Sequence, residues 1–295
     1  MIAEPIAATA SLLRHARQRW LVVFNCQAMG LANCLSLLSD EVTVEYHDPI
    51  SFPRARSQLI GQLDQYDRVI VAPWFERNYG VDFGRVANVW RIPPLNFHGY
   101  HPDLCNLTVI GGPLRGNHSV IAFAAYRCGM DVTETIRLFN PRTYEQMGYF
   151  DTWNADRAAL LEQFSASGLD LGRYFVDWSR HGPFTYIPSH PAIRCLRDLA
   201  RALLERAGLR AIATRLLPHD NLMNGDVFPV YPELATRLGV TGDYLFKRPL
   251  AYNLIGLRQY LEECHAFYRT CTDLNPTRPY RSLFDRAIRT IEASR

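Results

Sequence analysis

Between residues 20 and 72, short apolar runs alternate with helix-length stretches, and this rhythm constrains the fold more than any other feature of the chain. Trp20-Leu21-Val22-Val23-Phe24 is an unbroken apolar run of strand length, as expected of a strand buried on both faces. Residues 27–38, rich in Ala, Leu and Met, predict a helix. Residues 41–46 place Val42, Val44 and Tyr46 between polar neighbours and predict a second strand. An amphipathic helix over 54–63 and a third strand over 69–72, ended by Pro73, follow. Residues 86–92 predict a fourth strand and residues 107–110 a fifth, ended by Gly111-Gly112-Pro113. Strand, helix and strand in this order predict an α/β protein whose N-terminal parallel-type sheet is flanked by helices.

Beyond residue 117 the pattern becomes mainly helical, with helices predicted over 118–128, 132–139, 142–164, 192–207, 232–238, 254–268 and 282–293. Prolines such as Pro183, Pro188, Pro191, Pro218, Pro276 and Pro279 fall in the connections. No shift in composition separates the halves. Residues 1–116 are therefore expected to form the sheet region and residues 117–295 a helical region packed on it to form a cleft, the two making one integrated domain.

Composition narrows the function classes. Hydrophobic residues make up 48% and charged residues 21%, a globular profile that excludes a disordered chain. The net charge of +3 is too balanced for a dedicated nucleic-acid binder. No run approaches the roughly 18–20 apolar residues of a membrane helix, and no signal-peptide pattern opens the chain. Seven scattered cysteines read as reduced thiols rather than a disulfide framework, which predicts a cytoplasmic protein. Lys247 is the only lysine. Arginine suits phosphate and carboxylate groups, although a GC-rich genome gives the same bias.

Four segments carry residue types suited to chemistry. Cys26 follows the first strand and opens the next helix. Parallel sheets bind ligands outside the carboxyl ends of their strands, and a helix N-terminus lowers a thiol pKa and can hold an oxyanion. The alternative is a small thiol filling space between strand and helix. The loop His98-Gly99-Tyr100-His101-Pro102-Asp103 should lie on the same sheet edge. It offers a base near neutral pH and a carboxylate to orient it; a structural loop is the competing reading. A metal site is not predicted, because the loop lacks the zincin glutamate and no Cys-x-x-Cys partner exists. Gly111-Gly112-Pro113-Leu114-Arg115-Gly116-Asn117-His118 is a turn leading into a predicted helix, with Asn117 as its N-cap and a phosphate seat at its start. Lys247-Arg248 is a further phosphate candidate, though exposed basic pairs are commonplace. Cys26 is no tyrosine-phosphatase nucleophile, because Ala32 stands where the phosphate-binding arginine belongs.

With Asn25-Cys26-Gln27, the His98–Asp103 loop and Ser189-His190-Pro191, the chain resembles the WcbI family of bacterial capsular polysaccharide biosynthesis enzymes over nearly its whole length. The Asn-Cys-Gln element is the most specific part. The resemblance implies an α/β, capsule- and virulence-linked enzyme that uses coenzyme A or acetyl-CoA as co-substrate. It further implies O-acetylation of a capsular heptose through a cysteine–histidine pair. Cys26 matches the cysteine, and His98 and His101 lead for the histidine. Asn25, Gln27 and Asp103 are then positioning or oxyanion groups, and Arg115, Asn117, His118, Lys247 and Arg248 are contacts for the coenzyme's phosphates. The expected partner is a sugar or polysaccharide-precursor acceptor, with no nucleic acid, membrane insertion or metal. A cysteine esterase with water as acceptor, or a non-catalytic carbohydrate-binding protein of capsule assembly, are the alternatives.

Overall fold

A computed structural model describes residues 17–84 and 86–294; the opening residues, where no signal-peptide pattern is seen, lie outside that range. β1 (Gln18–Val23) leads into α1 (Ala28–Leu38), β2 (Val42–His47), α2 (Phe52–Ile60), β3 (Arg68–Val71), α3 (Pro73–Tyr79) and β4 (Val89–Arg91). The four strands form one parallel sheet in the order β2-β1-β3-β4. Trp20 to Phe24 are fully buried, as both-face coverage requires.

The strand order places the site. The chain leaves β1 toward β2 and then returns across it to β3, so the connections diverge at the carboxyl ends of β1 and β3. Such a switch point opens a crevice where parallel sheets hold ligands. Right-handed crossovers put α1 on one face and α2 and α3 on the other. α2 and α3 meet through Phe52, whose ring stands 4.7 Å from Phe75 and 5.3 Å from Tyr79.

The helical half is as expected. The hairpin β5 (Leu104–Asn106) and β6 (Asn117–Ser119) precedes α4 (Val120–Arg127), α5 (Val132–Ile136), α6 (Pro141–Gln146), α7 (Tyr149–Ala166) and α8 (Gly172–Arg180). A second hairpin, β7 (Thr185–Ile187) and β8 (His190–Pro191), leads to α9 (Ile193–Arg206), which packs on α1. Then come α10 (Pro232–Leu238), β9 (Leu245–Lys247), β10 (Leu254–Gly256), α11 (Leu257–Arg269) and α12 (Arg281–Glu292). α11 and α12 both pack on α4.

Several local expectations are corrected. Residues 107–110 are not a strand; only Leu107 bridges, to Pro276. The pairing falls earlier, at Leu104–Asn106, and antiparallel. Asn117 does not cap a helix: it pairs in β6, and Ser119 is the cap, its hydroxyl accepting the Ala122 N–H at 2.9 Å. The helix predicted over 142–164 is split at Gly148, whose φ of 72° starts a new helix. The helices Pro73–Tyr79 and Gly172–Arg180 were missed.

Candidate active site

Beyond Val23 the chain leaves the sheet through an Asx turn. The Asn25 side chain accepts the Gln27 N–H at 3.1 Å, and the Asn25 carbonyl accepts that of Ala28 at 2.9 Å. This turn sets Cys26 at the carboxyl end of β1, half-buried, two residues ahead of α1. Its Sγ lies 3.9 Å from the Ser189 carbonyl. The expected lowering of the thiol is not seen. Burial pushes Cys26 up to about 11, outweighing its own backbone N–H, while Asp48 adds to the rise. Cys26 is therefore a thiol, not a standing thiolate, at neutral pH.

Gln27 is fully buried and joins three chain segments. Its Nε2 donates to the carbonyls of Leu95 at 2.8 Å and Ser189 at 2.9 Å, and its Oε1 accepts the Leu95 N–H at 3.1 Å. Phe97 N–H donates to the Pro188 carbonyl at 2.9 Å. The turn between β7 and β8 is thus fixed against both the Cys26 turn and the 93–103 loop.

The next residue of that turn, His190, is half-buried, and its Nδ1 is shielded from solvent without a hydrogen-bond partner. Burial holds its pKa below the ordinary value, opposed by the fields of Asp226 and Asp220, so the ring is neutral at pH 7. A Cβ at Gly225 would stand 3.0 Å from His190 Nδ1 and Cε1, so the bare backbone there lets the ring in. Lys247 Nζ donates to the Gly225 carbonyl at 2.7 Å and to that of Arg248 at 3.2 Å, while Asn117 Nδ2 donates to Asp226. Asp220 caps α9 through the Ile193 N–H at 2.8 Å, and its Oδ1, with Asn221 Oδ1, is buried without a partner. Cys26, Gln27, Ser189, His190, Gly225, Asp226, Lys247 and Asn117 form one connected wall, although they come from five separate stretches of chain.

Other residues singled out in the sequence stand elsewhere. His101 is core: its Nε2 donates to the Thr185 carbonyl at 3.1 Å, and burial pushes its pKa down to about 4. His118 is likewise buried and held at about 4, stacked on Phe267 and 3.2 Å from the Tyr268 hydroxyl. No phosphate reaches it there. Asp103 does not face a histidine. It accepts the hydroxyls of Tyr149 at 2.7 Å and Tyr231 at 2.6 Å and the Ile121 N–H at 3.0 Å, anchoring the start of α4. Its burial raises its pKa. His98 sits beside Asp156, 3.6 Å from Nδ1, and Tyr280, 3.4 Å from Nε2. Arg115 is exposed on a left-handed turn with φ 53°, and Arg248 pairs with Glu263. His190 was the residue under-weighted: the Ser-His-Pro string was visible, but only the hairpin turn carries it to Cys26.

Among the described residues no group of three or more His, Cys, Asp and Glu could hold a metal ion. Nor, among those residues, is any helix long and apolar enough to cross a membrane.

Comparison with known proteins agrees with the α/β fold. Residues 19–211 match the family described as polysaccharide biosynthesis enzyme WcbI. Among solved structures the chain is similar to WcbI, described as a polysaccharide biosynthesis enzyme and as the native protein without a disulfide bond between coenzyme A and a cysteine. The likeness has a TM-score of 0.66 at 16% identity and covers 94% of this chain and 98% of the other. No curated protein sequence matches.

Proposed function

The chain belongs to the WcbI family of polysaccharide biosynthesis enzymes, and from that premise we propose that it is an acetyl-CoA-dependent O-acetyltransferase acting in the cytoplasm on a sugar hydroxyl of a capsular precursor, a heptose by family resemblance. One observation carries the reading. The Cys26 thiol stands at the switch point of the sheet, and the carbonyl it touches belongs to the residue before a neutral, half-buried histidine. The WcbI structure, described by the absence of a disulfide bond between coenzyme A and a cysteine, supports the choice of acyl donor.

His190 is the general base. Its imidazole, neutral at rest, takes the proton of the sugar hydroxyl as that oxygen attacks the thioester carbonyl. The tetrahedral oxyanion collapses, the carbon–sulfur bond breaks, and the departing coenzyme A thiolate takes the proton back from the imidazolium. Cys26 serves as a weak S–H donor and contact for the thioester beside the α1 N-terminus. A thiol at about 11 leaves only about one part in ten thousand ionised at pH 7, which disfavours a standing thiolate nucleophile. Asp226 balances the imidazolium, with Asn117 and Lys247 holding the segment that carries it. Asn25 and Gln27 fix the turn. Arg115 and Arg248 are the arginines assigned to the coenzyme's phosphates.

The test is turnover of acetyl-CoA with and without sugar acceptors, in wild type, Cys26→Ala and His190→Asn, alongside coenzyme A binding. Acetyl ester formed only with sugar, lost in His190→Asn while coenzyme A still binds, is the expected result. Equal turnover without sugar makes the protein an esterase. Absence of coenzyme A binding leaves a carbohydrate-binding protein and ends the transferase reading.

A further inference from the structure

A cavity of about 500 Å³ lies where the loop carrying Tyr100, the first two turns of α7 and the carboxyl ends of α8 and α10 converge. None of Cys26, Gln27, Ser189 or His190 lines it. Its size suits a small ligand. Phe150 and Trp153 supply aromatic surface, Asn154 and Ser179 supply polar groups, and Arg180 and Arg237 supply charge. No carboxylate is among its lining residues.

The two arginines face the cavity together without a counter-charge. Neither makes a side-chain hydrogen bond or an ion pair among the described residues, whereas Arg91, Arg173, Arg197 and Arg248 all pair with a carboxylate. A cation near a helix carboxyl end complements the helix dipole, which accounts for either arginine alone. It does not account for two such ends facing one cavity without a counter-charge. Arg237 is held in place, its guanidinium carbon 3.5 Å from the centre of the Phe150 ring. Trp153 is braced edge-on by Phe97 and Phe175, with ring centres 6.0 and 5.5 Å away. Ser179 donates its hydroxyl proton to the Val176 carbonyl at 3.0 Å and keeps its lone pairs for an incoming hydroxyl.

We propose that this cavity binds an anionic sugar, whose ring lies against Trp153, whose hydroxyls meet Asn154 and Ser179, and whose phosphate or carboxylate is gripped by Arg180 and Arg237. Aromatic faces cover the C–H face of a sugar ring, and guanidinium forks match either anion. The site is distinct from the Cys26 crevice, yet the same loop serves both: Leu95 is clamped by Gln27, and Tyr100 lines the cavity. The proposal concerns sugar recognition and stands apart from the coenzyme A reading.

Calorimetric titration of the whole chain tests it, with glucose 1-phosphate, glucuronate, uncharged methyl glucoside and inorganic phosphate as separate probes. Wild type, Arg180→Ala and Arg237→Ala are compared, with and without saturating coenzyme A. Both arginines are exposed, so the variants retain the fold, which a melting curve checks. An anionic sugar is expected to bind at least about tenfold tighter than methyl glucoside or inorganic phosphate. Each arginine variant is expected to lose about tenfold for that sugar and nothing for the uncharged one. Preference for glucose 1-phosphate assigns a phosphate monoester, and preference for glucuronate assigns a uronate. The proposal is overturned if neither anionic sugar binds, if inorganic phosphate or methyl glucoside binds as well, or if the arginine variants change nothing. Displacement by coenzyme A also overturns it, because the cavity would then belong to the coenzyme. Failure of coenzyme A to bind leaves the outcome of this experiment intact.

Discussion

Removing the Gln27 side chain should loosen the candidate site and the fold together. Gln27→Ala deletes three buried hydrogen bonds and strands the carbonyls of Leu95 and Ser189 and the Leu95 N–H. At about 0.5–1.5 kcal/mol for each bond, the three put the loss at about 1.5–4.5 kcal/mol. At roughly 2–4 °C per kcal/mol for domains somewhat smaller than this chain, the melting temperature falls by at least about 3 °C. Gln27→Glu sharpens the test. The carboxylate still accepts from Leu95, but it turns oxygen toward two carbonyls in a fully buried site. Its folded pKa is then raised above the unfolded value of about 4.3. The stability of this variant relative to wild type is therefore greatest below about pH 4 and is lost as pH rises through the raised folded pKa. Urea denaturation of wild type, Gln27→Ala and Gln27→Glu between pH 4 and 8 measures all of this. A Gln27→Ala protein within about 0.5 kcal/mol of wild type, the range of ordinary surface changes, would refute the clamp.

Alkylation of Cys26, followed by peptide mass spectrometry, should be slow at pH 7 and rise about tenfold per pH unit toward about 11; a plateau already at neutral pH contradicts the buried thiol. His101 and His118 are held neutral at about 4, below the unfolded value, so each lends stability above pH 6.5 that is lost as pH falls toward 4. At most about 3 kcal/mol per histidine is at stake, and His101→Gln should flatten the acid limb of a stability–pH curve. Asp103→Ala leaves two tyrosine hydroxyls and a helix N–H without their acceptor and should cost at least about 3 kcal/mol in urea titrations. An unchanged midpoint would remove Asp103 from its anchoring role.

The parallel sheet was legible because its signal is local. A strand buried on both faces must be apolar at every position, and Trp20 to Phe24 meet that demand within one short run. Pro232–Leu238 was likewise readable, with a proline at its first turn and a glycine closing it. The strand expected at 107–110 failed for the opposite reason. Its apolar residues pair with nothing beyond the single Leu107 bridge, and Ile110 is 82% exposed.

The candidate site divides in the same way. Sequence alone placed Cys26 at the end of a parallel strand, since strand and helix fix the turn between them. It could not rank His98, His101, His118 and His190 by their surroundings. His101 and Asp103 stand two positions apart in a polar-looking loop, yet tertiary packing buries one against Thr185 and the other between two tyrosines. His190 lies 164 positions beyond Cys26 and reaches the crevice because Gln27 holds the Ser189 carbonyl there. The thiol's pKa was misjudged on the same ground. A helix N-terminus can be read from neighbouring residues, but desolvation depends on everything that closes over the sulfur, and only the folded chain supplies that.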